Sequence, residues 1–340
     1  MKIIFDGRVL THTHFTGVEN YTKNIYNYLT KKVNVFLLKP KTKKKYLVHL
    51  WNHFILPFKH GDLLFCPANI APFFVPKNKK LVVTLHDVAF LTYPDSFSSF
   101  FRYYYQWLVP KVIHRADKII TISQASKNEI IRYYPFAKNK IEIISLGLDN
   151  NFHLLPNIKK RNQILYVGSL NIRKNFTSII KAFNQLPHDQ YQLVIVGNFS
   201  PNFHLDKITQ GLLEKAKRNT NIEFKSNISN NELSLLYNES KIFLFPSFYE
   251  GFGLPPLEAM ACGTPVITSN LSSMPEVCGD AAIYIDPHNI EDIFQKIQIL
   301  LSDEALQQKL INKGLEHIKQ FTWEKTTDEH IKVFKEVLQK

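Results

Sequence analysis

Ile242-Phe243-Leu244-Phe245-Pro246-Ser247-Phe248-Tyr249-Glu250-Gly251-Phe252-Gly253-Leu254-Pro255-Pro256-Leu257-Glu258-Ala259-Met260-Ala261-Cys262-Gly263-Thr264-Pro265 reads as a strand, a glycine-rich loop and a short helix in succession. Four apolar residues stopped by a proline suit a buried strand. Gly251 and Gly253 let the backbone approach a ligand closely. Pro255 and Pro256 suit the first turn of a helix, and Gly263 suits its end. The pattern predicts a helix over residues 256–261 with Glu258 in its first turn. There the carboxylate is either a helix cap or a ligand to hydroxyls. The amides at such a helix start favour a phosphate or another anionic oxygen. Two carboxylates flanking that site suit one hydroxyl-rich, phosphorylated ligand, with Glu258 on a ribose diol and Glu250 on a sugar ring.

Outward from this stretch the same alternation recurs. Apolar runs at residues 2–5, 33–38, 62–66, 81–85, 118–122 and 141–144 predict one series of strands. Runs at 163–167, 192–196, 222–224, 242–245, 265–268 and 282–285 predict a second. Helical periodicity separates them, notably at 18–30, 100–114, 124–133, 175–185, 231–239, 290–301 and 304–321. Alternating strands and helices imply parallel, doubly wound sheets, and two series imply two α/β domains. The polar segment 149–162 is the linker candidate, with domains at 1–155 and 156–320. Ligands of such sheets bind beyond the carboxyl ends of the strands, so a cleft between the domains is the expected active site. Neither series carries G-x-G-x-x-G, and no G-x-x-x-x-G-K-[ST] occurs, which removes most support for dinucleotide and P-loop readings.

Composition agrees with two globular domains: 340 residues, 45% hydrophobic and 21% charged. Charges in Met1-Lys2-Ile3-Ile4-Phe5-Asp6-Gly7-Arg8 stand where a signal peptide needs its apolar segment, giving the expectation of a cytoplasmic protein. Cys66, Cys262 and Cys278 have no C-x-x-C spacing and read as buried reduced thiols, not a metal site. The net charge of +13 suits anionic partners, without the motifs of a nucleic-acid binder. Lys39, Lys41, Lys43, Lys44 and Lys45 are either a solvated loop or a contact for anionic lipid headgroups. Phe100-Phe101-Arg102-Tyr103-Tyr104-Tyr105-Gln106-Trp107 is either a helix packed into the first domain or a membrane- or acceptor-facing surface.

Several segments together resemble a family. Glu250 and Glu258 match the E-x7-E pattern of retaining family 4 glycosyltransferases, which have the two-Rossmann-domain GT-B fold. Tyr166-Val167-Gly168-Ser169-Leu170-Asn171-Ile172-Arg173-Lys174-Asn175 is similar to that family's phosphate-binding segment. His86-Asp87-Val88, Arg115-Ala116-Asp117 and Ser272-Ser273-Met274-Pro275-Glu276 resemble further landmarks, in order along nearly the whole chain. Phe321-Thr322-Trp323 resembles the start of the final helices, so residues 321–340 are expected to cross back to the first domain.

The resemblance implies roles. Arg173 and Lys174 would bind the donor diphosphate. Gly17 would face it from the first loop, and His86 would contact the transferred sugar. Ile228 would touch the nucleobase through its backbone, and the amides of Phe252, Gly253 and Leu254 would hold sugar hydroxyls or phosphate. Two departures stand out: Ser169 occupies a position where many members carry Arg, and Thr16-Gly17-Val18 lacks the commoner double glycine. No D-x-D sequence occurs, so Arg173, Lys174 and helix-start amides would replace a metal ion. No cofactor is expected, since the GDP- or UDP-linked sugar is itself the substrate. The implied reaction is retaining, metal-independent transfer of a hexose, mannose as first choice, to a glycan or lipid-linked acceptor; the lysine run and the aromatic segment leave open whether the protein is also attached peripherally to the inner membrane face. A UDP-N-acetylglucosamine 2-epimerase-like enzyme and a non-catalytic sugar- or lipid-binding scaffold are the alternatives.

Overall fold

Short runs of β-branched and aromatic residues become two six-stranded sheets in the computed structural model, which describes residues 1–11, 17–42, 44–187, 189–197 and 207–339. The first sheet holds β1 (Lys2–Asp6), β2 (Asn34–Leu38), β3 (Leu63–Cys66), β4 (Lys80–Thr84), β5 (Lys118–Thr121) and β6 (Ile141–Ile143) in the order β2-β1-β3-β4-β5-β6. The second holds β7 (Arg161–Val167), β8 (Gln192–Val196), β9 (Ile222–Lys225), β10 (Ser240–Phe245), β11 (Val266–Ser269) and β12 (Ala282–Ile285) in the order β12-β11-β10-β7-β8-β9. Every strand pairing is parallel. Parallel strands covered by helices on both faces need continuous apolar sequence, and Leu63-Leu64-Phe65 and Ile242-Phe243-Leu244-Phe245 are accordingly buried throughout. Each strand expected from its apolar run forms, with ends moved by no more than about two residues.

The chain divides into two units: Met1–Thr92 with Ser99–Gly147 and Phe321–Lys340, and Tyr93–Ser98 with Leu148–Gln320. The change falls after Gly147, ahead of residue 155, because Leu148 and Phe152 are buried and the Phe152 ring meets Tyr237 at 5.8 Å in the second unit. The helix Trp323–Gln339 belongs to the first unit. Phe334 lies 5.0 Å from Phe65, and a Cβ at Gly147 would come within 2.4 Å of the Trp323 amide nitrogen.

Periodicity overstates some helices and misses others. The predicted 175–185 helix is Phe176–Phe183, and the predicted 304–321 helix ends at His317 before a 3-10 turn. Helices Lys45–Phe54 and Lys207–Lys217 form where none was expected.

Candidate active site

In the second sheet the winding reverses between β7 and β10, and ligands of open α/β sheets bind beyond the carboxyl ends of the strands at such a point. From β7 the chain enters the 3-10 turn Ile172–Lys174, where Asn171 Oδ1 accepts the Lys174 amide at 3.0 Å. Asn175 then takes φ 56°, which Asn tolerates better than most residues, and starts the helix Phe176–Phe183. From β10 the loop 246–253 returns beside that turn, and the Phe248 amide donates to the Arg173 carbonyl at 2.9 Å. Residues 76 and 77 positions apart thus become one cluster. Lys174 Nζ donates to Glu250 Oε1 and sits 4.8 Å from the centre of the Phe245 ring. Arg173 Nη1 donates to the Tyr249 carbonyl and lies 3.4 Å from Glu250 Oε2.

Glu250 is only 8% exposed. Burial pushes its carboxyl upward, but Lys174 and then Arg173 outweigh that and hold it below the ordinary carboxylate value. Two cations against one carboxylate leave the trio net positive, which favours an anion. The loop is pinned from behind. Ser272 Oγ accepts the Glu250 amide at 3.2 Å and donates to the Glu250 carbonyl at 2.7 Å. Ser273 Oγ reaches the carbonyls of Glu250 at 2.9 Å and Phe252 at 2.7 Å.

Phe252, Gly253 and Leu254 occupy the end of the same loop. Gly253 caps the helix Leu254–Ala261 at φ 106°. Pro255 and Pro256 carry no N–H, so the amides preceding them are what this helix start offers an anion. The expected position of Glu258 needs correction. The helix begins at Leu254, two residues early, because Gly253 reaches a backbone conformation that lets both prolines join the first turn. Glu258 therefore lies in the second turn and caps nothing. Its Oε2 instead accepts the Tyr237 hydroxyl at 2.9 Å. Burial drives its carboxyl up to about 7, with the Tyr237 hydrogen bond lowering it and Asp149 raising it further. Ile228 follows β9, the edge strand two places from β7, just ahead of Ser229, whose capping box with Glu232 starts the helix Asn230–Glu239.

His86 and Gly17 belong to the first unit. His86 follows β4 and is buried. Its amide donates to Asn69 Oδ1 at 2.8 Å, and its Nε2 lies 2.9 Å from the Pro67 carbonyl, which places the proton on Nε2 and leaves Nδ1 as an acceptor. Burial lowers its pKa, against the Pro67 bond and the charges of Asp87 and Glu19. Gly17 is the exposed first residue of the helix Gly17–Leu29, and a Cβ there would meet no atom of the described residues within 4 Å. Thr16 lies outside the described residues. The sequence reading did not single out Tyr237 or Phe245, and gave Ser272 and Ser273 no role. The serines stood inside a noted motif, whereas Tyr237 carries no local signal because its partner is 21 residues away. Among the described residues, no three His, Cys, Asp or Glu side chains group as metal ligands.

Residues 149–317 match the family model for glycosyl transferases group 1, and residues 60–152 match the model for glycosyltransferase family 4. The chain is 31% identical over 290 residues to O-antigen chain mannosyltransferase B of Escherichia coli, covering 81% of this chain and 73% of that protein. It is 32% identical over 240 residues to the serotype-specific mannosyltransferase WbdA of Escherichia coli, covering 66% of this chain but only 29% of the relative. Among solved structures, sucrose-phosphate synthase of Thermosynechococcus elongatus superposes with a TM-score of 0.78 at 18% identity, over 99% of both chains. The chain belongs to the family 4, group 1 glycosyltransferases, hexose-transferring enzymes of the GT-B fold.

Proposed function

We propose that this glycosyltransferase moves mannose from GDP-mannose to a glycan or lipid-linked glycan at the inner face of the membrane, with retention of anomeric configuration and without a metal ion. The Arg173–Lys174–Glu250 cluster at the reversal of the second sheet carries the reading. The names of the relatives, mannosyltransferases of O-antigen chains, support mannose as the sugar.

In the proposed reaction an acceptor hydroxyl oxygen bonds to the anomeric carbon as the bond from that carbon to the β-phosphate oxygen breaks. The electron pair leaves with the nucleoside diphosphate. The acceptor's proton ends on the departing phosphate oxygen from the same face, so no enzymic base is needed. Lys174 and Arg173 meet the charge that grows on the diphosphate, and the amides of Phe252, Gly253 and Leu254 add fixed donors. Glu250, kept ionised, accepts hydrogen bonds from sugar hydroxyls, and Glu258 accepts them from the ribose. His86 borders the transferred sugar, Gly17 faces the diphosphate, and the Ile228 backbone meets the base.

Thermal stabilisation by GDP, UDP, ADP and NAD, followed by transfer assays with sugars of whichever base binds, tests this. A nucleotide at about 100 times its Kd adds roughly 2.7 kcal/mol. GDP is expected to stabilise selectively, and Lys174→Ala to slow transfer by about 10² to 10³. Stabilisation by UDP alone would replace the donor, dependence on a divalent cation would remove the metal-free mechanism, and no nucleotide response would sink the reading. A trapped glycosyl adduct on Glu250 would show that it is a nucleophile.

A further inference from the structure

The helix Lys45–Phe54 is built the opposite way from one that faces water. It turns Val48, Asn52 and His53 inward and presents Tyr46, Leu50 and Phe54, four residues apart on one face, to solvent. Phe54 is 60% exposed, while both polar atoms of the buried Asn52 amide lack a hydrogen-bond partner among the described residues. Water alone would favour the reverse arrangement, so an exposed apolar face of this extent marks a surface that something apolar covers.

The face does not stop at the helix. The Phe54 ring meets Phe73 at 6.0 Å, Phe73 meets Trp107 at 6.0 Å, and Trp107 continues to Tyr104 at 6.4 Å. Phe58 meets Phe74 at 6.4 Å beside them. The helix Ser99–Arg115 thus divides its labour. Leu108, Val109, Val112 and Ile113 pack into the first unit, whereas Phe100, Tyr103 and Trp107 look outward, Phe100 being 81% exposed. Underneath, His49 and His53 hold the Tyr104 hydroxyl at 3.1 and 2.8 Å, which fixes the two helices to each other. Burial keeps His53 neutral, down to about 4, so this tie carries no charge at neutral pH.

The rim of this surface is cationic. Residues 33–61 contain no Asp or Glu, and Lys39, Lys41, Lys44 and Lys59 are exposed; Lys43 lies outside the described residues. The helix Ser99–Arg115 has no acidic residue either. Its Lys111 Nζ stands 3.9 Å from the Trp107 ring, and its Arg102 guanidinium 5.1 Å from the Tyr103 ring. Aromatic side chains ringed by Lys and Arg match the boundary between acyl chains and anionic headgroups. A second copy of this face would set lysine rows against each other. No helix among the described residues is long and apolar enough to cross a membrane, so such a surface would lie on the bilayer.

We propose that this face, built from helices Lys45–Phe54 and Ser99–Arg115 with Phe73 and Phe74, docks the enzyme on an anionic phospholipid surface. The inference deepens the membrane placement in the proposed function and rests on it. The helix Lys45–Phe54 lies in the interface with its aromatic face among the acyl chains, and the lysines contact headgroup phosphates.

Co-sedimentation of the full chain with phosphatidylglycerol-containing vesicles, against pure phosphatidylcholine, tests it. Binding is expected only to the anionic vesicles. Lys41→Glu with Lys44→Glu should weaken it about tenfold or more, and Phe54→Ser with Trp107→Ser should abolish it, while GDP stabilisation stays at the wild-type value in both. The lysine pair is exposed, so it keeps the test valid if the aromatic variant unfolds. Equal binding to both vesicle types, no loss in the lysine variant, or a wild-type dimer that the aromatic variant splits would each overturn the proposal. Vesicle binding without any nucleotide response would instead sink the transferase reading and leave this surface standing.

Discussion

At Glu258, burial raises the carboxyl to about 7, the Tyr237 hydroxyl pulls it back and Asp149 adds to the rise. At Glu250 the same burial is overcome by Lys174 and Arg173, and the carboxyl stays ionised. The sign of the Glu258 effect is definite. Between its unfolded value near 4.5 and about 7, the folded chain keeps a proton that the unfolded chain has lost. Stability therefore falls as pH rises through that window, by up to roughly 1.4 kcal/mol per unit. Glu258→Gln should gain in melting temperature over wild type between about pH 5 and 8, with no gain near pH 4. Parallel melts recorded by tryptophan fluorescence check this, and a difference that does not change with pH would place the titration elsewhere. The motif marked both glutamates as ligands. That they sit in opposite protonation regimes was not legible, because the charges and hydroxyl responsible come from residues as far as 109 positions away.

Local rules governed the elements wherever burial and periodicity agreed. The strands followed their apolar runs because a two-faced sheet buries every residue of a central strand. Gly253 shows how one residue sets an element: φ 106° before two prolines moves the helix start and so displaces Glu258. Gly253→Ala should lower stability by about 1 to 2 kcal/mol, since a side chain there is strained and its Cβ would lie 2.2 Å from Met274 Cε. Gly17→Ala, exposed and without a described atom near its Cβ, should change stability by less than about 0.5 kcal/mol while reporting on donor affinity. Urea unfolding and nucleotide titration of the two variants separate these outcomes. The helix Lys45–Phe54 was not read from the sequence although Tyr46, Leu50 and Phe54 recur at helical spacing; what holds it in place, the Tyr104 hydroxyl against His49 and His53, lies 55 and 51 positions along the chain.

At the scale of the whole chain, the carboxyl-terminal helix is bound to residues more than 250 positions earlier. Tyr21 donates to His330 Nε2 at 2.7 Å, His330 Nδ1 donates to the Thr326 carbonyl at 2.6 Å, and Trp323 and Phe334 are buried. Truncation after Gln320 should expose Phe65 and Tyr21 and cost the first unit its cooperative melt, while GDP stabilisation of the second unit persists. Calorimetry with and without GDP distinguishes that from uniform unfolding. Burial also brings His330 down to about 4, with the Thr326 bond opposing and His86 adding to the fall. The folded chain thus refuses a proton that unfolded His takes near 6.5, and stability declines as pH falls through that window.

Local sequence determined the strand–helix alternation, the two sheets and the glycine-rich loop after β10, because hydrophobic period and turn chemistry act over a few residues. Tertiary structure alone decided which charges meet, which carboxylate keeps its proton and which face of the helix Lys45–Phe54 stays dry. Those outcomes depend on burial and on partners distant in the chain, and neither burial nor distance is written in any local window of residues.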